Sequence, residues 1–178
     1  MAFDSTVGGA SANSFVSVSD ADTYFGERLG SDTWTTASTA DREKALIMSS
    51  RYLDKLSYYG ERKTDTQNLA FPRKYLPDPD PIGNYWDHLK TAGRGYLDEA
   101  TIPDRVTYAT CELSQKLLAS NTVFDDPSLR QFKELQVEGV VKLVINSNSL
   151  DRVLDRNIKG FLSPLMESGG LGVRLRRG

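Results

Sequence analysis

Ile102-Pro103-Asp104-Arg105-Val106, running on through Ala119, is the stretch whose reading decides the fold. Pro103 fits the first turn of a helix, where a missing N–H has no intrahelical partner to lose. From there Val106, Ala109, Leu113 and Leu117 fall on one face, with Ile102 and Leu118 at its margins, which is the period of an amphipathic helix. Asp104 sits at the positive end of the helix dipole and Lys116 near the negative end. Cys111 reads as a small apolar filler rather than a nucleophile. The expectation is a core helix, and what packs against it sets the architecture.

Upstream, Ser38 with Asp41 three residues on has the form of a capping box. Ala45, Ser49, Tyr52 and Leu56 follow as one row, widened by Leu46, Met48 and Leu53 into a core-facing stripe. Ser49 and Ser50 are small enough for another helix to come close. Arg42, Glu43, Lys44 and Arg51 populate the wet face, and Gly60 closes the element. A shorter helix from Asp20 to about Leu29, capped by Ser19 with Asp22, would bury Ala21, Tyr24 and Phe25 and end at Gly30. Trp34 lies in a connector as an anchor onto the core.

Residues 1–13 are glycine, serine, alanine and threonine for the most part and read as a flexible N-terminal arm. Glu61 to Asn68 reads as polar loop, and Leu69-Ala70-Phe71-Pro72-Arg73 as an apolar knot. Residues 74–100 form a long irregular loop holding Tyr85, Trp86, His88 and Tyr96. Near 132–146 the period changes: Leu135, Val137, Val141, Leu143 and Ile145 alternate with polar residues around Gly139, which predicts a β-hairpin or bulged strand. Asp151 to Met166 reads as a last short helix or two. The expected fold is mainly α: a small helical bundle with a β-hairpin and extended N- and C-terminal arms, the body spanning 14–166.

Residues 167–178 form a tail behind Gly169-Gly170. Leu171, Val173 and Leu175 alternate there with Gly172, Arg174 and Arg176, followed by Arg177. A two-residue period at a terminus suits a strand that joins the sheet of another chain; the alternative is a frayed basic end.

Composition narrows the function classes. Net charge is −2 over 178 residues and mean hydropathy is −0.43, so no global attraction to nucleic acid or anionic lipid is expected. One cysteine excludes an intrachain disulfide. The segment Met1 to Ser14 lacks a signal pattern and no apolar run approaches the ~20 residues that span a bilayer, so the expectation is a soluble intracellular chain without membrane contact.

His88, the single histidine, excludes a histidine-dependent triad or two-histidine metal site within one chain. Asp78, Asp80 and Asp87 lack the spacing of a calcium loop, and no phosphate loop is present. No catalytic residues, metal site or cofactor are expected. The local basic pairs are Arg62 with Lys63 and Arg73 with Lys74. Phe71 and Tyr75 beside the second pair have the form of a stacking platform, which makes Arg73 and Lys74 the candidate DNA-facing residues.

The order of segments resembles the small tailed-phage head–tail connector (adaptor) proteins, a group often labelled DnaT-like single-stranded DNA-binding proteins. The likeness runs from Ser14-Phe15-Val16-Ser17-Val18 and Asp20-Ala21-Asp22-Thr23-Tyr24-Phe25 through Trp34, Arg51-Tyr52-Leu53-Asp54 and Leu69-Ala70-Phe71-Pro72-Arg73. It continues at Ile102-Pro103 with Val106, Ala109, Cys111, Glu112 and Leu113. Phe71 stands where the pattern has tryptophan, and the 74–100 loop is longer than usual. The resemblance implies a structural subunit of the virion neck, made in the host cytoplasm and assembled as a ring, commonly dodecameric. Its partners would be the portal, tail or neck proteins, and the genomic double-stranded DNA passing through the channel. It also implies a portal-binding tail, here Leu171, Val173, Arg174, Leu175, Arg176 and Arg177. The rival expectation is a single-stranded DNA-binding protein of the DnaT-like kind.

Overall fold

The computed structural model describes residues 2–80, 95–120, 136–137, 140–141 and 156–167. Among these, five helices occur: α1 (Val18–Gly26), α2 (Asp32–Thr36), α3 (Thr39–Leu53), α4 (Asp104–Ala119) and α5 (Arg156–Leu162). Two antiparallel ribbons accompany them. In one, β1 (Glu61–Arg62) pairs with β2 (Arg73–Lys74); in the other, β3 (Gln136–Val137) pairs with β4 (Val140–Val141). The fold is mainly α with a small hairpin, as the sequence predicts, and that hairpin falls within the expected 132–146 window.

The helix that opened the sequence reading lies at the centre. α4 buries Val106, Ala109, Leu113 and Leu117, and also Thr110, Cys111, Glu112 and Ser114. Its hydroxyls cause no penalty, because Thr110 and Ser114 donate to the carbonyls of Val106 and Cys111, each at 2.7 Å. α3 and α5 pack on α4 from different sides, and α1 and α2 complete the surround. Ile158, Leu162 and Leu165 close the core from the C-terminal side.

Local departures from the expectation have identifiable causes. α1 starts two residues early: its cap is Ser17, which exchanges hydrogen bonds with Asp20. Trp34 is fully buried, as an anchor should be, but within a one-turn helix; it stacks on Phe25 at a centroid distance of 4.7 Å. α3 is capped by Ser38 and Asp41 as expected. Met48, expected in its core stripe, is 42 % exposed. Arg42, expected on the wet face, lies over the Trp34 ring and donates to the carbonyls of Trp34 and Thr35 and to Asp22. α3 ends at Leu53, well before Gly60; Asp54 caps it and accepts the Ala70 N–H.

The N-terminal segment is the largest difference. Residues 2–13, expected as an arm, fold back on the chain's own body. The Asn13 amide donates to the Ala2 carbonyl at 2.7 Å, the Asn13 and Ser14 N–H groups reach Asp4, and Asn68 ties down Gly9 and Ala12. Ala12 and Asn13 are buried, and Phe3 packs on the core. Glycine and serine here make tight turns rather than slack. The C-terminal tail, with Leu171, Val173, Arg174, Leu175, Arg176 and Arg177, lies outside the described residues, as do Tyr85, Trp86 and His88 of the long loop.

Candidate nucleic-acid interface

The segment read as polar loop builds the most distinctive surface feature. After α3 the chain turns through Tyr58, which is buried and donates its hydroxyl to the Leu53 carbonyl at 2.9 Å. Burial pushes the Tyr58 phenol well above its usual range. Gly60 then takes a left-handed conformation (φ +73°), and a Cβ there would run into the Lys74 carbonyl oxygen. Only glycine lets the two strands approach at that point. The pairing sets Glu61 opposite Lys74 and Arg62 opposite Arg73.

Arg73 and Lys74, the expected DNA-facing pair, have different surroundings. The Arg73 guanidinium donates to the carbonyls of Tyr58 (3.1 Å), Tyr59 (2.7 Å), Gly60 (2.6 Å) and Ala70 (3.3 Å). Burial, and next the facing Arg62, lower its pKa. Arg73 therefore fastens the root of the ribbon to the turn before it. Lys74 stays half-exposed opposite the exposed Glu61, while Arg62 is exposed opposite Arg73 and Lys63 is half-exposed just beyond.

Of the two aromatics expected as a platform, Phe71 is buried in the core, edge-on to Phe15 at 5.8 Å and to Tyr58 at 4.7 Å. Its place beside a basic pair is a sequence accident; the side chain points inward. Tyr75 does face solvent, 59 % exposed. It adopts a left-handed backbone (φ 56°), which costs a β-carbon residue about 1–2 kcal/mol. The fully buried Leu76 next to it, whose carbonyl accepts from Leu97 at 2.9 Å, holds that conformation.

The same Leu76–Leu97 pairing brings in Tyr96, half exposed, which meets Tyr75 edge-on at 5.9 Å. Sequence reading placed Tyr96 in a loop without a partner; nothing in local pattern links it to Tyr75. Tyr59 adds a third exposed ring at the base of the ribbon. Three accessible phenol rings can stack planar bases, and the ribbon's Arg62 and Lys74, the latter opposite Glu61, can neutralise phosphates.

Burial pushes the Cys111 thiol up to about 12, so it carries no thiolate at neutral pH. Among the described residues no group of three or more His, Cys, Asp and Glu is placed to hold a metal ion, and no helix is long and apolar enough to cross a membrane.

The architecture is thus a small helical domain displaying a tyrosine-rich cationic ribbon. The chain belongs to the family described as "Putative DnaT-like ssDNA binding protein", which it matches over residues 1–178. Searches of curated proteins and of solved structures return no match.

Proposed function

We propose that this chain is a non-enzymatic DNA-contacting protein that engages single strands through the β1–β2 ribbon. The observation that carries the reading is the Tyr75–Tyr96 pair, exposed beside Lys74 on a ribbon whose other strand carries Arg62. Membership of the family named above supports it. Stacking on aromatic rings contributes about 1–3 kcal/mol per base, so two rings suffice for micromolar binding when a few cations assist. The test is anisotropy of a labelled oligothymidylate at low salt with wild type and Tyr75→Ala/Tyr96→Ala. A loss of about tenfold or more in the double variant is expected; equal binding by both sinks the reading.

A second reading is a structural head-to-tail adaptor of a tailed phage. There the chain would form a ring, commonly dodecameric, on the portal in the virion neck, with genomic double-stranded DNA in its channel and tail proteins docked below. The net charge of −2 favours it, since a free-standing DNA binder usually carries a basic balance. So does the alternation of Leu171, Val173 and Leu175 with Arg174 and Arg176, which suits a strand added to another protein's sheet. Electron microscopy of the chain mixed with its portal, with and without residues 171–178, tests it. Rings that dock only when the tail is intact support this reading, and docking unaffected by truncation removes the tail's role.

A further inference from the structure

The ribbon tyrosines lead into a groove of opposite character. The Leu97 N–H donates to the Leu76 carbonyl and the Asp78 N–H to the Gly95 carbonyl, each at 2.9 Å, which sets the two segments side by side. Together with the start of α4 they enclose an open groove of about 440 Å³. Leu97, Ile102 and Pro103 are half-buried and form its floor, the first two packed against the core. Asp80, Asp98 and Asp104 are exposed and form its rim with the half-buried Asp78.

The rim is not neutralised. Among the described residues no ion pair engages any of these four carboxylates. Asp78 and Asp98 each accept one backbone N–H, from Asp80 and Ala100, at 3.0 Å. Arg105 is the one cation among the described residues that line the groove. No three of the carboxylates are placed to hold a metal ion. An apolar floor under an acidic rim suits an extended basic segment whose alternate residues are apolar.

The chain carries such a segment. Residues 168–178 contain Arg174, Arg176 and Arg177 and no acid, and Leu171, Val173 and Leu175 alternate with the first two arginines and Gly172. With the apolar row on the floor, the long arginine side chains can reach back to the rim. The segment also starts from the right end of the molecule. The Glu167 N–H donates to the Ser57 carbonyl at 3.1 Å and the Tyr59 N–H to the Leu165 carbonyl at 3.0 Å, with Met166 bridged to Tyr58 in the antiparallel sense. The chain therefore leaves Glu167 heading towards the C-terminal end of α3. α4 runs opposite to α3, since Leu117 and Leu118 share a hollow with Asp41 and Ala45. The end of α3 thus lies at the start of α4, where the groove is. Ten residues separate Glu167 from Arg177. Extended, they span about 33 Å, twice the radius of gyration of about 16 Å expected for a domain of this size. A tether this short gives a local concentration of about millimolar, which favours the chain's own groove over that of a second copy.

We propose that this groove seats the chain's own C-terminal segment, Leu171 to Arg177, its leucines and valine on Leu97 and Ile102 and its arginines among the four carboxylates. The contact needs neither DNA nor a portal.

Trypsin digestion of the full chain tests it, with cleavage after Arg174 and Arg176 followed by mass spectrometry. A segment seated about nine-tenths of the time is cut about tenfold more slowly than one that is not. Wild type is expected to show this protection at low salt and to lose it by about 0.5 M salt. Asp80→Asn/Asp98→Asn should remove it as well, because asparagine drops the charge and keeps an acceptor for the Ala100 N–H. Thr101→Arg adds a cation from an exposed position lining the groove, and decides the matter if the first variant loses thermal stability. Cleavage as fast in wild type as in the variants overturns the proposal, and so does protection that the variants retain. Protection should stay constant over about a fiftyfold range of protein concentration. Protection that grows with concentration puts the segment on a second copy and overturns the contact within one chain.

Discussion

Arg28, just past the C-cap of α1, and Glu112 in the middle of α4, 84 residues apart, form a two-pronged ion pair that Tyr24 completes. The Glu112 side chain is 11 % exposed and that of Arg28 33 %. Desolvation and then the Glu112 hydrogen bond raise the Tyr24 pKa beyond its usual range, so its hydroxyl remains a donor throughout ordinary conditions. Removing one partner of a fully buried pair costs about 3–5 kcal/mol. Water that reaches Arg28 reduces this, and Arg28→Gln should destabilise by about 2 kcal/mol. Arg28→Gln/Glu112→Gln should lose less than the single change, because no charge is stranded. Urea denaturation of the three proteins measures both values, and a double variant less stable than Arg28→Gln contradicts the argument.

Gly60→Ala should act locally on the ribbon. The left-handed backbone alone disfavours alanine by about 1 kcal/mol, and the Lys74 carbonyl in the path of the new methyl adds to this. A loss of about 2 kcal/mol is expected, with faster amide exchange at Arg62 and Lys74 while α4 amides remain protected. Uniform loosening of both regions would mean that the ribbon and the helical body open as one unit.

How far the sequence foretold this fold depends on whether a pattern was local. Val106, Ala109, Leu113 and Leu117 declare the buried face of α4 by spacing alone. The sequence reading caps α1 at Ser19 with Asp22, but the pair Ser17–Asp20, shifted by two residues, forms the cap. Tertiary structure is the reason: Asp22 is occupied by the Trp34 indole N–H at 2.7 Å and by Arg42, leaving Asp20 to serve the cap. The β1–β2 ribbon was not legible, since two-residue strands are too short to show a period. Of the candidate site, Lys74 and Tyr75 were visible as a cation beside an aromatic. Tyr96 was not, because only the Leu97–Leu76 hydrogen bond brings it there.

Asp54→Ala should uncouple α3 from the Leu69–Phe71 segment. Asp54 accepts the Ala70 N–H across sixteen positions of sequence, just before the buried Phe71. A hydrogen bond to a charged acceptor is worth about 1.5–3 kcal/mol. The substitution is expected to destabilise by about that amount, and Asp54→Asn, which keeps an acceptor oxygen, by less. Thermal unfolding distinguishes them, and equal losses would assign the effect to packing.

Alkaline pH should unfold the protein through α4. Cys111 is buried at the centre, and burial followed by the neighbouring Glu112 raises its thiol from an ordinary 9.0 to about 12. The folded state then holds a proton that the unfolded state releases first. The contribution is complete below about pH 9 and is lost as pH rises towards 12. The Tyr58 and Tyr24 phenols, raised chiefly by burial, add in the same direction above 10. Stability measured by urea midpoints should therefore decline across this range. Cys111→Ala removes one titrating group, so its decline should be shallower between pH 9 and 10, where the unfolded thiol ionises ahead of the tyrosines. At pH 7 the same variant should lose about 1 kcal/mol for the missing sulfur. A slope unchanged by Cys111→Ala would show that the thiol ionises as freely in the folded protein as in the unfolded chain.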